Sequence, residues 1–382
     1  MAYQIKRFGY DGTIDADGHI LEPADLWETY LEARYRDRAL RIKIDDAGLE
    51  YLEIAGKPSR RTNKGALAIM GAMGEENLWP SPDRRYQDSM PFGACDPVQR
   101  LALMDQENLD YCLLYPTIGL LWECELTDPE LSLAYVRAYN RWIADFCRNS
   151  GGRLVPIAQL TLLDPEGSAR ELERAVKDGC RGAWINPFNH NKTIHGNEAH
   201  DVLYAMCSNL NVPLAIHPTF TPHGAAEGIF NWPTHGRGPA EAIWLRSIVQ
   251  QVFISFLSLG TLDRFPDLKL GILEAGCGWI GPLLDRLDAY ADALNLLSKR
   301  SASQIFREQC FISGDPDETT APYTIDHVGA DCFMWATDYP HPDHPHTWVD
   351  ALTNFVQPLK PTTRAKFLGE NVKRIYGLTS VA

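Results

Sequence analysis

Several side chains of the types that bind metals stand where short apolar runs of this sequence end. The segment TIDADGHILEP carries Asp15, Asp17 and His19 at every second position. VPLAIHP ends with His217 before its proline, and CFMWATDYP carries Asp338 near its end. Side chains two residues apart on a strand point to the same face, so Asp17 and His19 can reach one centre. The pattern predicts a metal site where the ends of strands distant in sequence meet.

Two histidines and two carboxylates can hold a divalent metal and leave a position for water or substrate. Such a metal lowers the pKa of its water and polarises a substrate carbonyl. Glu274, in the run LKLGILEAG, could act as an acid or base if apolar surroundings and a nearby carboxylate raise its pKa. Glu274 could also be a metal ligand, and Asp338 is the other candidate for moving the proton. The predicted chemistry is metal-assisted hydrolysis or, with carbon as the protonated atom, decarboxylation.

The elements that must position these residues follow a strand and helix alternation. From about residue 100 onward, short apolar runs alternate with amphipathic segments of helical length, which predicts a parallel sheet. The predicted strands cover residues 14–19, 111–115, 154–159, 182–186, 213–217, 269–274, 309–313 and 331–337. Eight strands close a (β/α)8 TIM barrel, whose active sites lie at the C-terminal ends of the strands. We therefore predict one barrel domain over residues 1–382.

Two irregular stretches interrupt the alternation. Within residues 24–95, the segment ALRIKIDDAGLEYLEIAG predicts a β-hairpin with a DDAG turn. Residues 219–239 form the second stretch, directly after His217. Because both follow strand ends, we expect them over the rim of the barrel, where such enzymes keep their substrate specificity.

Composition narrows the class of protein. With 45% hydrophobic and 23% charged residues among 382, the chain is typical of a globular protein. A net charge of -14 argues against binding nucleic acid or an anionic membrane. The nine cysteines form no CxxC pair, which favours a reduced setting over disulfides, and no apolar run is long enough to span a membrane. We predict a cytoplasmic enzyme that acts on a small molecule.

Four motifs together resemble the amidohydrolase-related family, which includes aminocarboxymuconate semialdehyde decarboxylase. They are IDADGH in the first strand, IHP at 216–218, ATDYPHP at 336–342 and GENVKRIYGL at 369–378. The resemblance implies a distorted (β/α)8 barrel with one divalent metal, held by Asp17, His19, His217 and Asp338. In that family the first strand usually supplies two histidines, and Asp17 stands in place of the first. Zinc is the first expectation, and the added carboxylate makes manganese the second.

The resemblance also marks a position for proton transfer. Where the family usually carries a catalytic histidine on the sixth strand, this chain has Glu274. The segment HPDHPH contains His341, His344 and His346, but its prolines should prevent all three rings from converging. We expect His341 to face the site. His190 and His195 could lie at the rim or in solvent.

Candidate substrate contacts lie in the two irregular stretches. Arg60, Arg61 and Arg237 could hold a substrate carboxylate with paired guanidinium donors, although each taken alone fits a surface arginine equally well. Trp232 could line an aromatic pocket. Trp142 and Trp348, on the predicted barrel exterior, are compatible with a homodimer.

Our first prediction is a metal-dependent hydrolase that acts on a small cyclic or aromatic oxygenated substrate through a metal-activated water. The alternative is non-oxidative decarboxylation of an aromatic or muconate-type acid, with the metal chelating a carboxylate and an adjacent oxygen. A second alternative, motivated by Asp17 and Glu274, is a metal-free barrel that serves as a binding protein or scaffold.

Overall fold

The sequence folds into a barrel of eight parallel strands. The computed structural model describes residues 3–222, 237–294 and 300–379, and for residues 237–245 and 292–294 it describes the backbone alone. The barrel strands are β1 (Thr13–Ile20), β5 (Leu109–Pro116), β6 (Leu154–Gln159), β7 (Gly182–Ile185), β8 (Leu214–Ile216), β9 (Leu270–Ile272), β10 (Cys310–Gly314) and β11 (Phe333–Trp335), paired in that order. All eight predicted strands are present, so the predicted (β/α)8 TIM barrel is confirmed.

Helices follow the strands around the outside of the barrel. They are α1 (Leu26–Tyr30), α2 (Pro97–Glu107), α3 (Pro129–Cys147), α4 (Pro165–Asp178), α5 (Asp201–Leu210), α6 (Arg237–Ser258), α7 (Thr261–Arg264), α8 (Ile280–Leu294), α9 (Ala302–Gln309), α10 (Ala321–Val328), α11 (Trp348–Val356), α12 (Pro361–Ala365) and α13 (Asn371–Tyr376). Three begin at an Asp-Pro pair, with Asp96, Asp128 or Asp164 accepting a backbone N–H of the first turn. The aspartate satisfies an otherwise unpaired donor, and proline fixes the first helical residue.

The barrel closes between its first and last strands through backbone bonds just past β11. Asp338 N donates to Asp17 O at 3.2 Å, and His19 N donates to Tyr339 O at 2.9 Å. Asp15 strengthens this seam, since its carboxylate accepts from Thr337 N at 3.0 Å and from Thr337 Oγ1 at 2.6 Å. The seam brings two predicted ligands of β1 beside the ligand that follows β11.

Apolar side chains fill the barrel interior below the rim. They include Ile14, Leu113, Trp184 and Met334, all fully buried. Among the described residues, the barrel interior is therefore a packed core.

The two tryptophans that we assigned to the barrel exterior are buried. Trp142 is 7% exposed and Trp348 is 1% exposed. The ring of Trp348 stacks on Trp335 with 5.2 Å between ring centroids. Neither side chain therefore offers a surface for a second copy of the chain.

The insertion contains the predicted hairpin. Strands β2 (Arg41–Ile44) and β3 (Glu50–Ile54) pair antiparallel, and β4 (Lys57–Pro58) adds a short third strand. In the turn, Asp45 Oδ1 accepts from Ala47 N and Leu49 N, each at 2.9 Å. Farther along, Met73 N donates to Pro340 O at 3.2 Å, which anchors the insertion beside the loop after β11. Over the described ranges, every helix is too short or too polar to cross a bilayer.

Candidate metal centre

The four predicted metal ligands converge at the C-terminal rim of the barrel. His19 Nε2 lies 3.3 Å from His217 Nε2 and 2.9 Å from Asp338 Oδ1. Asp17 Oδ1 lies 3.5 Å from His217 Nε2 and 3.7 Å from His19 Nε2. All four side chains are buried. The structure therefore brings together side chains from both ends of the chain and from its middle.

Backbone carbonyls fix the orientation of both histidine rings. His19 Nδ1 donates to Pro116 O at 2.7 Å, and His217 Nδ1 donates to Pro218 O at 2.7 Å. Because a carbonyl only accepts hydrogen bonds, each neutral ring keeps its Nε2 lone pair for the centre. Burial lowers the pKa of His19, which favours this neutral form. Burial also lowers the pKa of His217, but the neighbouring carboxylates of Asp17 and Glu274 outweigh it and raise that pKa to about 9, so this ring holds a second proton when no cation is bound. A bound cation would take the place of that proton between the two Nε2 atoms and the carboxylates.

Asp17 gives independent evidence that the cluster fits a cation. Both of its carboxylate oxygens are buried, and neither has a hydrogen-bond partner. A buried carboxylate without a partner is costly, and metal coordination is one of the usual ways to satisfy it. Two imidazoles, once the extra proton of His217 is displaced, and two carboxylates form a suitable donor set for a divalent metal.

Glu274 and Asp338 both leave their strands with backbone angles that are unusual for residues other than glycine. Their φ values are 44° for Glu274 and 56° for Asp338. Such left-handed conformations cost about 1–3 kcal/mol each and concentrate at functional sites. They turn both side chains toward the cluster, where Glu274 Oε2 lies 3.5 Å from His217 Nε2. Burial, and then the negative charge of Asp338, raise the pKa of Glu274 well above its usual range.

Two histidines of the loop after β11 contact Asp338. His341 Nδ1 lies 3.0 Å from Asp338 Oδ1, and His341 Nε2 lies 2.9 Å from Thr117 Oγ1. His344 Nδ1 lies 2.7 Å from Asp338 Oδ2. From the sequence we predicted that His341 faces the site, but we gave His344 no such role. Pro342 lies between the two histidines in sequence, yet both rings lie on the side of the loop that faces Asp338.

Two glutamates that were not predicted from the sequence, the buried Glu22 and the half-buried Glu318, hold the loops of the site. Glu22 accepts the backbone N–H groups of residues 117–119 at 2.8–3.2 Å, and burial raises its pKa to about 7. Glu318 accepts from Cys277 N at 2.8 Å and Gly278 N at 3.1 Å, which fixes the loop after Glu274. In the sequence, the one sign of a role for Glu22 is its position directly after the apolar residues that end β1.

A pocket of about 260 Å³ opens beside the cluster. Its apolar wall is formed by Met70, Leu120, Leu121, Pro218, Phe220 and Pro342. Its polar lining consists of Thr117, Thr219, Arg246, Glu274, His341 and Asp343. Because ligand pockets usually measure about 300–1,000 Å³, this one suits a single ring with its substituents.

Comparison with known proteins identifies the family. The protein-family model for amidohydrolases matches residues 14–378. The chain belongs to the amidohydrolase family. This amidohydrolase is 25% identical over 292 residues to γ-resorcylate decarboxylase from Rhizobium radiobacter, a match that covers 73% of the chain and 86% of the relative. The family-model match over residues 14–378 confirms the resemblance. The protein is therefore an enzyme of the amidohydrolase superfamily.

Solved structures agree with the fold. An amidohydrolase from Mycobacterium avium subsp. paratuberculosis K-10 superposes with a TM-score of 0.80 at 20% identity, covering 96% of this chain and 99% of that one. A dihydroxybenzoic acid decarboxylase from Polaromonas sp. JS666, solved with manganese and the inhibitor 2-nitroresorcinol, superposes with a TM-score of 0.66 at 19% identity. That match covers 97% of this chain and 98% of the decarboxylase.

Of the predicted substrate contacts of this amidohydrolase, Arg60 and Arg61 do not line the pocket. Arg60 is 82% exposed at its side chain and lies 3.9 Å from Glu125. Glu125 also accepts from Arg60 N at 2.8 Å and Arg61 N at 3.0 Å, which holds both arginines outside the pocket. Arg237 begins α6, but its side chain is outside the described residues, as is all of Trp232. Arg246, which the sequence analysis did not consider, lines the pocket instead.

The two histidines after β7 are both held by backbone carbonyls. His190 Nε2 donates to Glu123 O at 2.7 Å, and the His190 side chain is half-buried. His195 is buried, its Nε2 donates to Asn186 O at 2.7 Å, and burial lowers its pKa to about 4. Neither side chain lines the pocket described above.

The low pKa of His195 predicts that acid destabilises the amidohydrolase through this residue. An unfolded histidine has a pKa near 6.5, so the unfolded chain binds a proton at pH values where folded His195, with a pKa of about 4, does not. The free energy of unfolding should therefore fall as the pH drops from about 6.5 towards 4. In urea unfolding of the metal-free protein, wild type should lose about 1 kcal/mol more than His195→Gln between pH 7.5 and 5.5. Equal losses in the two proteins would contradict this prediction.

Proposed function

We propose that this amidohydrolase-family enzyme is a non-oxidative decarboxylase of a monocyclic aromatic acid, dependent on a divalent metal held by Asp17, His19, His217 and Asp338. The observation that carries the proposal is the position of Glu274. It borders both the ligand cluster and a small apolar pocket, and its pKa is raised. Decarboxylation requires an acid that gives a proton to carbon, whereas a hydrolytic site needs a base for water.

Relatives support decarboxylation over the hydrolysis that was our first prediction from sequence. The similar proteins include a γ-resorcylate decarboxylase and a dihydroxybenzoic acid decarboxylase. Both names specify hydroxylated benzoic acids, which agrees in size with a pocket of about 260 Å³. We therefore take hydroxybenzoic acids as the substrate class.

Manganese is the metal that we propose, in place of zinc. The cluster supplies two carboxylates with two histidines, a harder donor set than the histidine-rich coordination typical of zinc. The similar dihydroxybenzoic acid decarboxylase was solved with manganese. The same donor set argues against the metal-free scaffold, because Asp17 would remain buried without a partner.

The chain's own residues account for the proton that the reaction needs. When bound, the divalent metal would supply positive charge for the substrate carboxylate and for a hydroxyl oxygen on the neighbouring ring carbon. The bond between the ring carbon and the carboxylate carbon breaks, carbon dioxide leaves, and the electron pair stays on the ring carbon. Glu274 delivers its proton to that carbon and is later reprotonated from solvent. The apolar wall keeps water away while this happens. His341, between Thr117 and Asp338, keeps the Asp338 carboxylate oriented.

The test is release of carbon dioxide. Protein freed of metal by a chelator and reloaded with manganese is incubated with 2,6-dihydroxybenzoate and related ring acids, labelled with ¹³C at the carboxylate. We expect labelled carbon dioxide and the corresponding phenol from the loaded protein, and none from the metal-free protein. Lactones and amides are supplied in parallel. If lactones or amides release acid and no ring acid releases carbon dioxide, the enzyme is a hydrolase and the proposed decarboxylase function is wrong.

A further inference from the structure

Asp15 lies two residues before the ligand Asp17, but its carboxylate has a different set of contacts. The side chain is buried. Its Oδ1 accepts from Thr337 N at 3.0 Å and from Asp17 N at 3.3 Å. Its Oδ2 accepts from Thr337 Oγ1 at 2.6 Å and lies 3.7 Å from the thiol of Cys112. One buried carboxylate therefore joins the first strand of the barrel to the segment that follows the last strand.

The hydroxyl of Thr337 extends this link across the ligand Asp338. Thr337 Oγ1 donates to Asp15 and accepts from Tyr339 N at 2.9 Å. Asp338 lies between Thr337 and Tyr339, and its φ of 56° is in the left-handed region that residues other than glycine rarely adopt. Such a conformation persists only where the surrounding structure holds it. The bonds from Asp15 to Thr337 and on to Tyr339 hold the backbone on both sides of Asp338.

Gly18 makes room for the carboxylate of Asp15. A Cβ atom on residue 18 would lie 2.8 Å from Asp15 Oδ2 and 2.5 Å from Cys112 Sγ, which is closer than such atoms approach one another. The pairing of β1 with β5 also shifts register between Asp15 and Gly18. The irregular strand and the glycine together leave Asp15 at the seam of the barrel, while Asp17 faces the cluster.

The backbones of two ligands depend on this one carboxylate. Asp17 N donates directly to Asp15, and Asp338 N donates to Asp17 O at 3.2 Å. The side chains of Asp17 and Asp338 therefore start from backbone segments whose separation is fixed at Asp15. Groups that orient the ligands of a metal strongly affect its affinity, because the ligands then need no rearrangement to bind it.

We propose that Asp15 is a positioning residue that sets the spacing between Asp17 and Asp338 and, through this spacing, the affinity of the cluster for manganese. This inference rests on the proposed metal site. Because both of its oxygens already accept hydrogen bonds, Asp15 is not itself a ligand and acts through Thr337 and the backbone. Loss of its bond to the Thr337 hydroxyl releases the turn at Asp338, so one ligand moves away from the other three.

Manganese titration of the metal-free, full-length protein tests this inference without requiring turnover. The dissociation constant is measured from the electron paramagnetic resonance signal of free manganese, and the spectrum of bound manganese reports the geometry of its ligands. Asp15→Asn turns one acceptor into a donor, so the Thr337 hydroxyl loses its acceptor. We expect manganese to bind about 10- to 100-fold more weakly than to wild type, with a changed spectrum of the bound ion. Asp164→Asn is the control, because Asp164 also accepts a backbone N–H, from Gly167 at 2.8 Å, but lies at the start of α4.

Two substitutions of Thr337 separate the hydrogen bond from packing. Thr337→Val keeps the shape of the side chain and removes the hydroxyl, whereas Thr337→Ser keeps the hydroxyl and removes a methyl group. Thr337→Val should weaken manganese binding about 10-fold or more, and Thr337→Ser should bind manganese nearly as tightly as wild type. The double variant Asp15→Asn/Thr337→Val should lose little more affinity than the weaker of the two single variants, because both changes remove the same bond.

The outcomes separate this inference from the proposed function. Wild-type affinity and an unchanged spectrum in Asp15→Asn would overturn the inference, and so would equal weakening in Thr337→Ser and Thr337→Val. If Asp15→Asn does not fold, the two Thr337 variants decide alone. A wild-type protein that binds no manganese overturns the inference together with the metal site. If the variants behave as expected but wild type releases no carbon dioxide from any ring acid, the inference holds and the decarboxylase function fails. All titrations are made below the melting temperature of each metal-free variant.

Discussion

Replacement of His217 by alanine is expected to remove the metal and the activity together. His217 Nε2 lies 3.3 Å from His19 Nε2, and its ring is fixed by the carbonyl of Pro218. Without this ring the cluster keeps three donors and a gap in a buried, acidic site. Because losing even an outer-shell partner of a metal ligand typically costs about 10- to 100-fold in affinity or activity, we expect at least that loss for a direct ligand.

The measurement is elemental analysis of dialysed protein combined with the carbon dioxide assay. Wild type should carry nearly one equivalent of manganese, and His217→Ala should carry almost none. His190→Ala is the control, because His190 is a half-buried histidine whose ring, like that of His217, bonds a backbone carbonyl but lies outside the cluster. Full retention of manganese by His217→Ala would refute the assignment of this ligand.

The second large effect concerns Glu274. Glu274→Gln should keep manganese in place and lower turnover by about 10² or more, because glutamine has the shape of glutamate but no acidic proton to give. Burial and the charge of Asp338 raise the pKa of the Glu274 carboxyl, so the wild-type enzyme should be active near neutral pH and lose activity as alkali removes this proton.

Asp343→Asn provides the comparison for Glu274→Gln. Asp343 lines the same pocket, and although burial of its carboxyl raises the pKa, the neighbouring His344 and His341 together lower it below its usual value. An ionised aspartate has no proton to give, so Asp343→Asn should change turnover much less than Glu274→Gln. If turnover of Glu274→Gln equals that of wild type, the acid would be His341, because the pKa of Asp338 lies well below its usual value.

The strand ends of this fold could be predicted because local sequence determines them. Strands β8 and β11 are short buried apolar runs, and a polar residue, His217 or Asp338, follows each run where it meets the rim. The turn at Asp45 was likewise visible, since its bonds reach only Ala47 and Leu49. Patterns of this kind require no knowledge of distant contacts.

Features that depend on distant contacts could not be predicted in the same way. The register of β1 against β5 shifts between Asp15 and Gly18. The side chain of Asp15 bonds Thr337 instead of joining the metal ligands, although Asp15 and Asp17 are two residues apart. Arg246 lies in the middle of a long helix with no nearby motif, and only the folded barrel brings it to the pocket.

Diffraction data collected at the manganese absorption edge, from crystals of the manganese-loaded protein, would show which residues bind the metal. We expect one strong anomalous peak within bonding distance of Asp17, His19, His217 and Asp338. The main competing position is the neighbouring group of Glu274, Asp338, Asp343 and His344, whose ligand atoms all lie within 4.8 Å of one another. A peak at that group, or none at the predicted cluster, would refute the proposed metal site.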